Sequence, residues 1–152
     1  MKVIDTSIEG LKIINPKVFI DKRGYFFEPY SKKKFDKYLG PVNFVQDNES
    51  KSKKGILRGF HFQKPPHDQA KLVRCIRGEI LDIAIDIRKG SHTFGEYIKI
   101  ILSEQNKKQL FIPSGFAHGF LVLTDYAIFS YKVDNYYSPA HESGIKWNDP
   151  TL

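Results

Sequence analysis

The chain has 152 residues, of which 41% are hydrophobic and 14% aromatic, and carries a net charge of +7. That length and composition predict one folded domain over residues 1–152 and exclude a disordered chain. The lone Cys75 excludes an intrachain disulfide, and neither an apolar run of membrane-spanning length nor a signal-peptide core is present, so a cytoplasmic protein with no membrane partner is expected.

In chain order, residues 11–20 predict a first strand, broken at Pro16. Asp21-Lys22-Arg23-Gly24 is a turn signal, and residues 25–28 predict the next strand. Ser31 is placed to cap a helix over residues 32–39, with Phe35, Tyr38 and Leu39 on its apolar face and Gly40-Pro41 ending it. Residues 42–47 predict a strand and residues 48–54 a lysine-rich loop. Lys32 to Lys34 and Lys51 to Lys54 lack interleaved aromatics that would stack bases, which argues against nucleic acid. A basic balance suits a phosphorylated small ligand instead.

Residues 55–77 hold two strand-like runs joined by Lys64-Pro65-Pro66-His67. Strict alternation puts Arg58, Phe60 and Phe62 on one face and His61 on the other. On the second run Lys71, Val73 and Cys75 share a face. Cations directed into a sheet are costly unless something anionic meets them. This predicts a cleft for an anionic small molecule with an imidazole in its floor. Residues 80–87 alternate most clearly, Leu81, Ile83, Ile85 and Ile87 against Asp82, Ala84 and Asp86. Further strands are predicted over residues 95–102, 110–112, 118–123 and 127–133, and regularity is lost after Tyr136-Tyr137-Ser138-Pro139. Twelve Phe and eight Tyr favour strands over helices. The sum is an all-β antiparallel sandwich or barrel with one or two short helices.

Pro113-x-Gly115-x-x-His118, after an earlier Gly55-x5-His61, looks like the two half-motifs of the cupin jelly roll. Asp21-x-Arg23-Gly24-x-Phe26-x-Glu28, Gln46-x-Asn48, Leu57-Arg58-Gly59-x-His61-x-Gln63 and Lys71-Leu72-Val73-Arg74 occur in order. Ser91-x-Thr93-Phe94-Gly95, Tyr131-Lys132, Tyr136-Tyr137-x-Pro139-x-His141-Glu142 and Trp147-Asn148-Asp149-Pro150 follow. Together they resemble the dTDP-4-dehydrorhamnose 3,5-epimerase family of the cupin superfamily, over residues 11–152.

The resemblance implies a cofactor-independent epimerase of dTDP-L-rhamnose biosynthesis. Its substrate would be a dTDP-4-keto-6-deoxy sugar, inverted at C3 and C5, both alpha to the C4 carbonyl. His61 would be the base, Lys71 the cation at the C4 oxygen, and Tyr131 the acid on the opposite face of the ring. Tyr131 needs a nearby cation, and Lys132 is not assigned that role, because sequence neighbours in a strand face opposite ways. Arg23, Arg58 and Lys71 would bring positive charge to the diphosphate and sugar. Glu28, Gln46, Asn48, His118 and Glu142 would contact nucleotide or sugar, and Tyr137 would stack on the base. Taken singly, Glu28 and Glu142 also read as surface charges, Gln46 and Asn48 as turn residues, and Tyr137 as a core aromatic. His67, His92 and His141 read as loop or surface residues.

Family members run further than Leu152, and that tail carries an acidic partner for the base histidine. The chain is therefore expected to be short at its C-terminus, with Asp82 and Asp86 as candidate substitutes. A homodimer exchanging N-terminal strands is also implied. A metal site is not expected, because Gln63 stands where metal cupins carry the second His of His-x-His. The alternatives are a mono-epimerase, a 3,4-ketoisomerase on a nucleotide sugar, or a weakly catalytic sugar-nucleotide-binding cupin.

Overall fold

The computed structural model describes residues 1–151. One sheet has six strands, in the spatial order β1 (Lys2–Asp5), β2 (Lys12–Asn15), β10 (Gln109–Ile112), β7 (Lys71–Arg77), β12 (Tyr126–Val133) and β5 (Gln46–Lys53). The second has five, in the order β13 (Glu142–Gly144), β6 (Leu57–Gln63), β11 (Phe116–Val122), β8 (Glu79–Asp86) and β9 (Tyr97–Ser103). Among the described residues, β3 (Phe19–Asp21) and β4 (Gly24–Phe26) pair only with each other. All pairings are antiparallel. The all-β jelly-roll expectation holds.

Both sheets feed one interior cluster. Val73 and Cys75 of β7 and Ala127 and Phe129 of β12 meet Ile80 and Ala84 of β8 and Phe116 and Phe120 of β11. The helix α1 (Lys32–Leu39) lies where it was expected. Its buried Phe35 packs with Ile14, Leu72 and Phe111, which anchors the helix on the outer side of the six-stranded sheet. Ser31 occupies the N-cap position with extended backbone, but its side chain makes no capping hydrogen bond.

One expectation is corrected. Residues 48–54 are not a loop. β5 spans Gln46–Lys53 and pairs with β12 along its whole length. Its sequence, QDNESKSK, has no β-branched or aromatic residue, because an edge strand with a solvated face needs none, and lysines discourage further pairing there. β8 alternates as expected, and the structure assigns its two faces. Ile83, Ile85 and Ile87 pack outside the barrel with Phe60, Phe62, Ala117 and Ile145. Asp82 pairs with Phe120 and faces the interior with Ile80 and Ala84. Asp82 and Asp86 are both fully buried.

Burying a carboxylate is unfavourable unless hydrogen bonds replace its water. Asp86 accepts from Arg88 Nε (2.9 Å) and Nη2 (2.7 Å), from the Arg88 amide (2.9 Å), and from Ser91 and Thr93 hydroxyls (2.7 Å each). Burial pushes its carboxyl up, but these bonds together outweigh that and hold it well below the usual carboxylate range. Asp86 therefore ties down the loop that follows β8.

Candidate active site

The site is organised by an irregularity in β6. His61 lies opposite His118 on β11, and Arg58 lies opposite Phe120, so three steps on β6 match two on β11. Directly opposed residues share a face. Phe120 belongs to the interior cluster, so Arg58 and His61 both point inward. Alternation placed them on opposite faces, and the extra residue of a β-bulge overturns that. Gly59 makes the bulge possible. Its φ is +132°, and a Cβ there would sit 2.5 Å from Gly119 Cα and 2.8 Å from the His118 carbonyl oxygen. Only two facing glycines allow the strands to approach this closely.

His61 opens into a cleft of about 350 Å³ at one end of the barrel. Lys71 from β7, Tyr131 from β12, Gln46 and Asn48 from β5, Glu142 from β13, and Tyr137 line the same cleft. Phe62, Gln63 and Gln69 complete the lining; the sequence reading assigned them no role. Tyr131 sits opposite Val73 on one side and Asn48 on the other. Gln46 Nε2 donates to Asn48 Oδ1 at 2.8 Å, which orients both amides at the cleft edge.

The charges around these groups are arranged in depth. Burial lowers the Lys71 ammonium below the ordinary lysine range, while Asp82 and Glu142 oppose this and favour its charged form. Burial raises the Tyr131 phenol; Arg58 pulls it down, and Glu142 adds to the rise. Arg58 is therefore the cation that acts on Tyr131. Its Nε donates to the buried Ser52 hydroxyl at 2.9 Å, which fixes its direction. Lys132 faces away and pairs with Asp47 at 2.8 Å. The Tyr137 hydroxyl donates to Glu142 at 2.6 Å, a bond that raises the phenol's pKa.

His118 is only 8% exposed, and its Nε2 lies 3.0 Å from each oxygen of Asp82. Its ring stacks at 5.9 Å on Phe129. A direct sugar contact through Nε2 is thus replaced by a contact with a carboxylate. The same pairing corrects the expectation for His61. Asp82 is bound to His118 and Asp86 to Arg88, Ser91 and Thr93, so neither carboxylate is hydrogen-bonded to His61.

Arg23 and Glu28 do not reach the cleft of their own chain. Arg23 is exposed at the tip of the β3–β4 hairpin and pairs with Asp21 at 2.6 Å. Glu28 pairs with Lys34 beside a separate hollow lined by Met1, Lys17 and Phe35. The rings of His67 and His141 lie 4.2 Å apart, and neither lines the cleft. Among the described residues, no group of three or more His, Cys, Asp or Glu could hold a metal ion, and no helix is long and apolar enough to cross a membrane.

A family model described as dTDP-4-dehydrorhamnose 3,5-epimerase matches residues 5–152. A Salmonella typhimurium protein of that name is 55% identical, with the whole of this chain aligned to 84% of its length. The crystal structure of an Elizabethkingia anophelis dTDP-4-dehydrorhamnose 3,5-epimerase superposes with a TM-score of 0.94 at 51% identity, covering 100% of this chain and 84% of that one. A Legionella pneumophila dTDP-6-deoxy-D-glucose-3,5-epimerase, solved in complex with dTDP-4-keto-L-rhamnose, gives a TM-score of 0.96 at 49% identity, covering 99% of this chain and 80% of that one.

Proposed function

The chain belongs to the dTDP-4-dehydrorhamnose 3,5-epimerase family, and we propose that His61, Lys71 and Tyr131 carry out its chemistry. It is an epimerase that inverts C3 and C5 of a dTDP-linked 4-keto-6-deoxyhexose in dTDP-L-rhamnose biosynthesis. His61 takes the proton alpha to the carbonyl, and the C–H electron pair moves onto the C4 oxygen. Lys71 faces that oxygen and stabilises the enolate. Tyr131 gives its proton to the same carbon from the opposite face as the ketone re-forms. Solvent then reprotonates the phenolate and removes the proton from the imidazolium, and the cycle repeats at the second carbon.

The observation that carries this reading is the convergence of an imidazole, a half-buried ammonium and a half-buried phenol from three different strands on one cleft. Arg58 supports it by favouring loss of the Tyr131 proton. Gln46, Asn48, Tyr137 and Glu142 would contact the sugar or nucleotide, and Arg58 the diphosphate, where a planar fork suits phosphate. His118 would act through Asp82 rather than on the sugar directly.

The hairpin supports a homodimer. Ile20 is 82% exposed and Phe26 65% exposed, an apolar surface that a second copy would cover. Exchange of N-terminal strands would also give Arg23 and Glu28 a route to the neighbour's cleft. Sedimentation of Phe26→Asp would show a monomer. The protein would work in the cytoplasm, where nucleotide sugars are made.

The test of function is proton NMR of dTDP-4-keto-6-deoxyglucose incubated with the protein in D2O. Loss of both the C3 and C5 proton signals, abolished in His61→Ala, is the expected result. Loss of one signal would identify a mono-epimerase. Binding without any loss would identify a sugar-nucleotide binder.

A further inference from the structure

Gln63 is buried at the end of β6, two residues past His61, and its carboxamide is fully turned to backbone groups outside that strand. Its Nε2 donates to the carbonyl oxygens of His67 (2.6 Å) and Tyr136 (3.2 Å). Its Oε1 accepts from the Ser138 amide (2.8 Å). One side chain thus joins residues 64–70, which lead into Lys71, to residues 134–141, which lead into Glu142. Other contacts reinforce the clip. Gln69 Nε2 donates to the Asn135 carbonyl (2.8 Å), and the Ala70 amide to Asp134 Oδ1 (2.7 Å). The second loop carries Tyr137, which is bonded to Glu142, and both line the cleft.

We propose that Gln63 is a positioning residue for substrate, a reading that rests on the epimerase function above. It sets the Tyr137–Glu142 wall of the cleft, and acts on substrate affinity more than on proton transfer. The carboxamide is required because its two ends differ. The NH2 end serves two carbonyls and the oxygen serves one N–H. A carboxylate in the same place would face two carbonyl oxygens with no proton to offer. A histidine has at most one N–H to give each carbonyl from a rigid ring. By contrast, His61, Lys71 and Tyr131 sit on strands paired on both sides, so their places do not depend on the clip.

The variants are Gln63→Met, of equal length without hydrogen bonds, and Gln63→Glu, of equal shape without donors. Both are assayed for turnover of the dTDP-4-keto sugar, and binding of dTDP alone is measured by calorimetry. KM and the dTDP dissociation constant should rise about tenfold, the loss of roughly one well-made hydrogen bond's worth of affinity. KM should carry the larger share of the fall in kcat/KM. Tyr137→Phe should cost less on top of Gln63→Met than it does alone, because both act through one wall. Unmoved KM in the variants, or full additivity with Tyr137→Phe, overturns the proposal. Amide hydrogen exchange of the unmutated protein tests it without a substitution. The Ser138 amide should be protected, and more so with dTDP bound; exchange at open-loop rates overturns the proposal. A native protein that fails to turn over the sugar sinks the epimerase reading itself. Native turnover with unmoved Gln63 variants sinks only the role of Gln63.

Discussion

Replacing Tyr131 with Phe removes one oxygen and keeps the ring. That ring lies 5.5 Å from Phe129 and packs against the interior cluster, so its burial is retained. Stability should move by about 1 kcal/mol or less, the scale of one hydrogen bond. Catalysis should suffer far more. Loss of a positioned general acid costs roughly 10²- to 10⁴-fold, which is about 3–5 kcal/mol of barrier. The two-face mechanism also predicts which partial reaction survives. His61 is exposed in the cleft, so a proton it takes can exchange with solvent and return as deuterium to the same face. Tyr131→Phe should therefore wash deuterium into C3 and C5 while forming almost no inverted product. His61→Asn should do neither. Proton NMR in D2O reads both events in one tube, through substrate signal loss and the appearance of product-epimer signals. Inversion within about tenfold of the native rate, a barrier change near 1.4 kcal/mol, would refute Tyr131 as the acid. Loss of exchange in step with inversion would refute the division of labour between the two faces.

Lys71→Met should lower kcat by about 10²- to 10³-fold, as for removal of one oxyanion donor. Because burial lowers the Lys71 ammonium, the alkaline limb of the pH–rate profile should begin below the ordinary lysine range, and Asp82→Asn should move it lower still, since Asp82 favours the charged form. A limb that stays put in Asp82→Asn would separate Lys71 from that limb. Gly59→Ala should destabilise the fold by about 3 kcal/mol or more, from a positive φ and from forced overpacking, as measured by urea unfolding; the added Cβ meets Gly119 backbone at 2.5 Å, and backbone cannot swing aside. Asp86→Asn should cost about 3 kcal/mol near neutral pH, as for a buried charge pair that loses one partner. The Asp86 carboxyl is held below its unfolded value, so its stabilisation is present above the ordinary carboxylate range and lost as pH falls through the depressed one. The stability gap between native and Asp86→Asn protein should therefore narrow in acid.

Much of the fold was legible because its signals are local. The Pro16 break, the helix before Gly40-Pro41 and the alternation of residues 80–87 each depend on neighbours in sequence. What was not legible depends on partners distant in sequence. β5 is a strand because β12 offers it eight paired positions, not because QDNESKSK favours extension. The alternation of β8 did not say which face turns inward, and Asp82 takes the interior because His118 arrives from β11 to meet it. The relative placement of Arg58 and His61 depended on a bulge that needs, besides Gly59, the facing Gly119, 60 positions away in sequence. For the site, ordered motifs brought out His61, Lys71, Tyr131, Gln46, Asn48, Tyr137 and Glu142, all of which line one cleft. Gln63 was visible as a motif position and a missing metal ligand but without a role, because its hydrogen bonds go to backbone, which no residue pattern records.

The pairing of Asp82 with His118 bears on how Lys71 can work. An enolate gains most from a cation that is charged, dry and not already neutralised. Those demands conflict, because a dry ammonium tends to lose its proton. A carboxylate in direct contact with Lys71 would keep it charged, but would also take up the charge that the enolate needs. The barrel holds Asp82 near enough to favour the ammonium, yet commits both of its oxygens to His118 Nε2 at 3.0 Å. Among the described residues, Lys71 has no carboxylate within 4.0 Å, while His118 has one. On this reading His118 serves the reaction by occupying Asp82, which leaves Lys71 charged and free to meet the oxygen on which negative charge develops. His118→Ala would release Asp82 toward Lys71, and kcat should fall although nothing that touches the sugar has been removed. If His118→Ala instead raised KM alone, His118 would be a ligand contact after all.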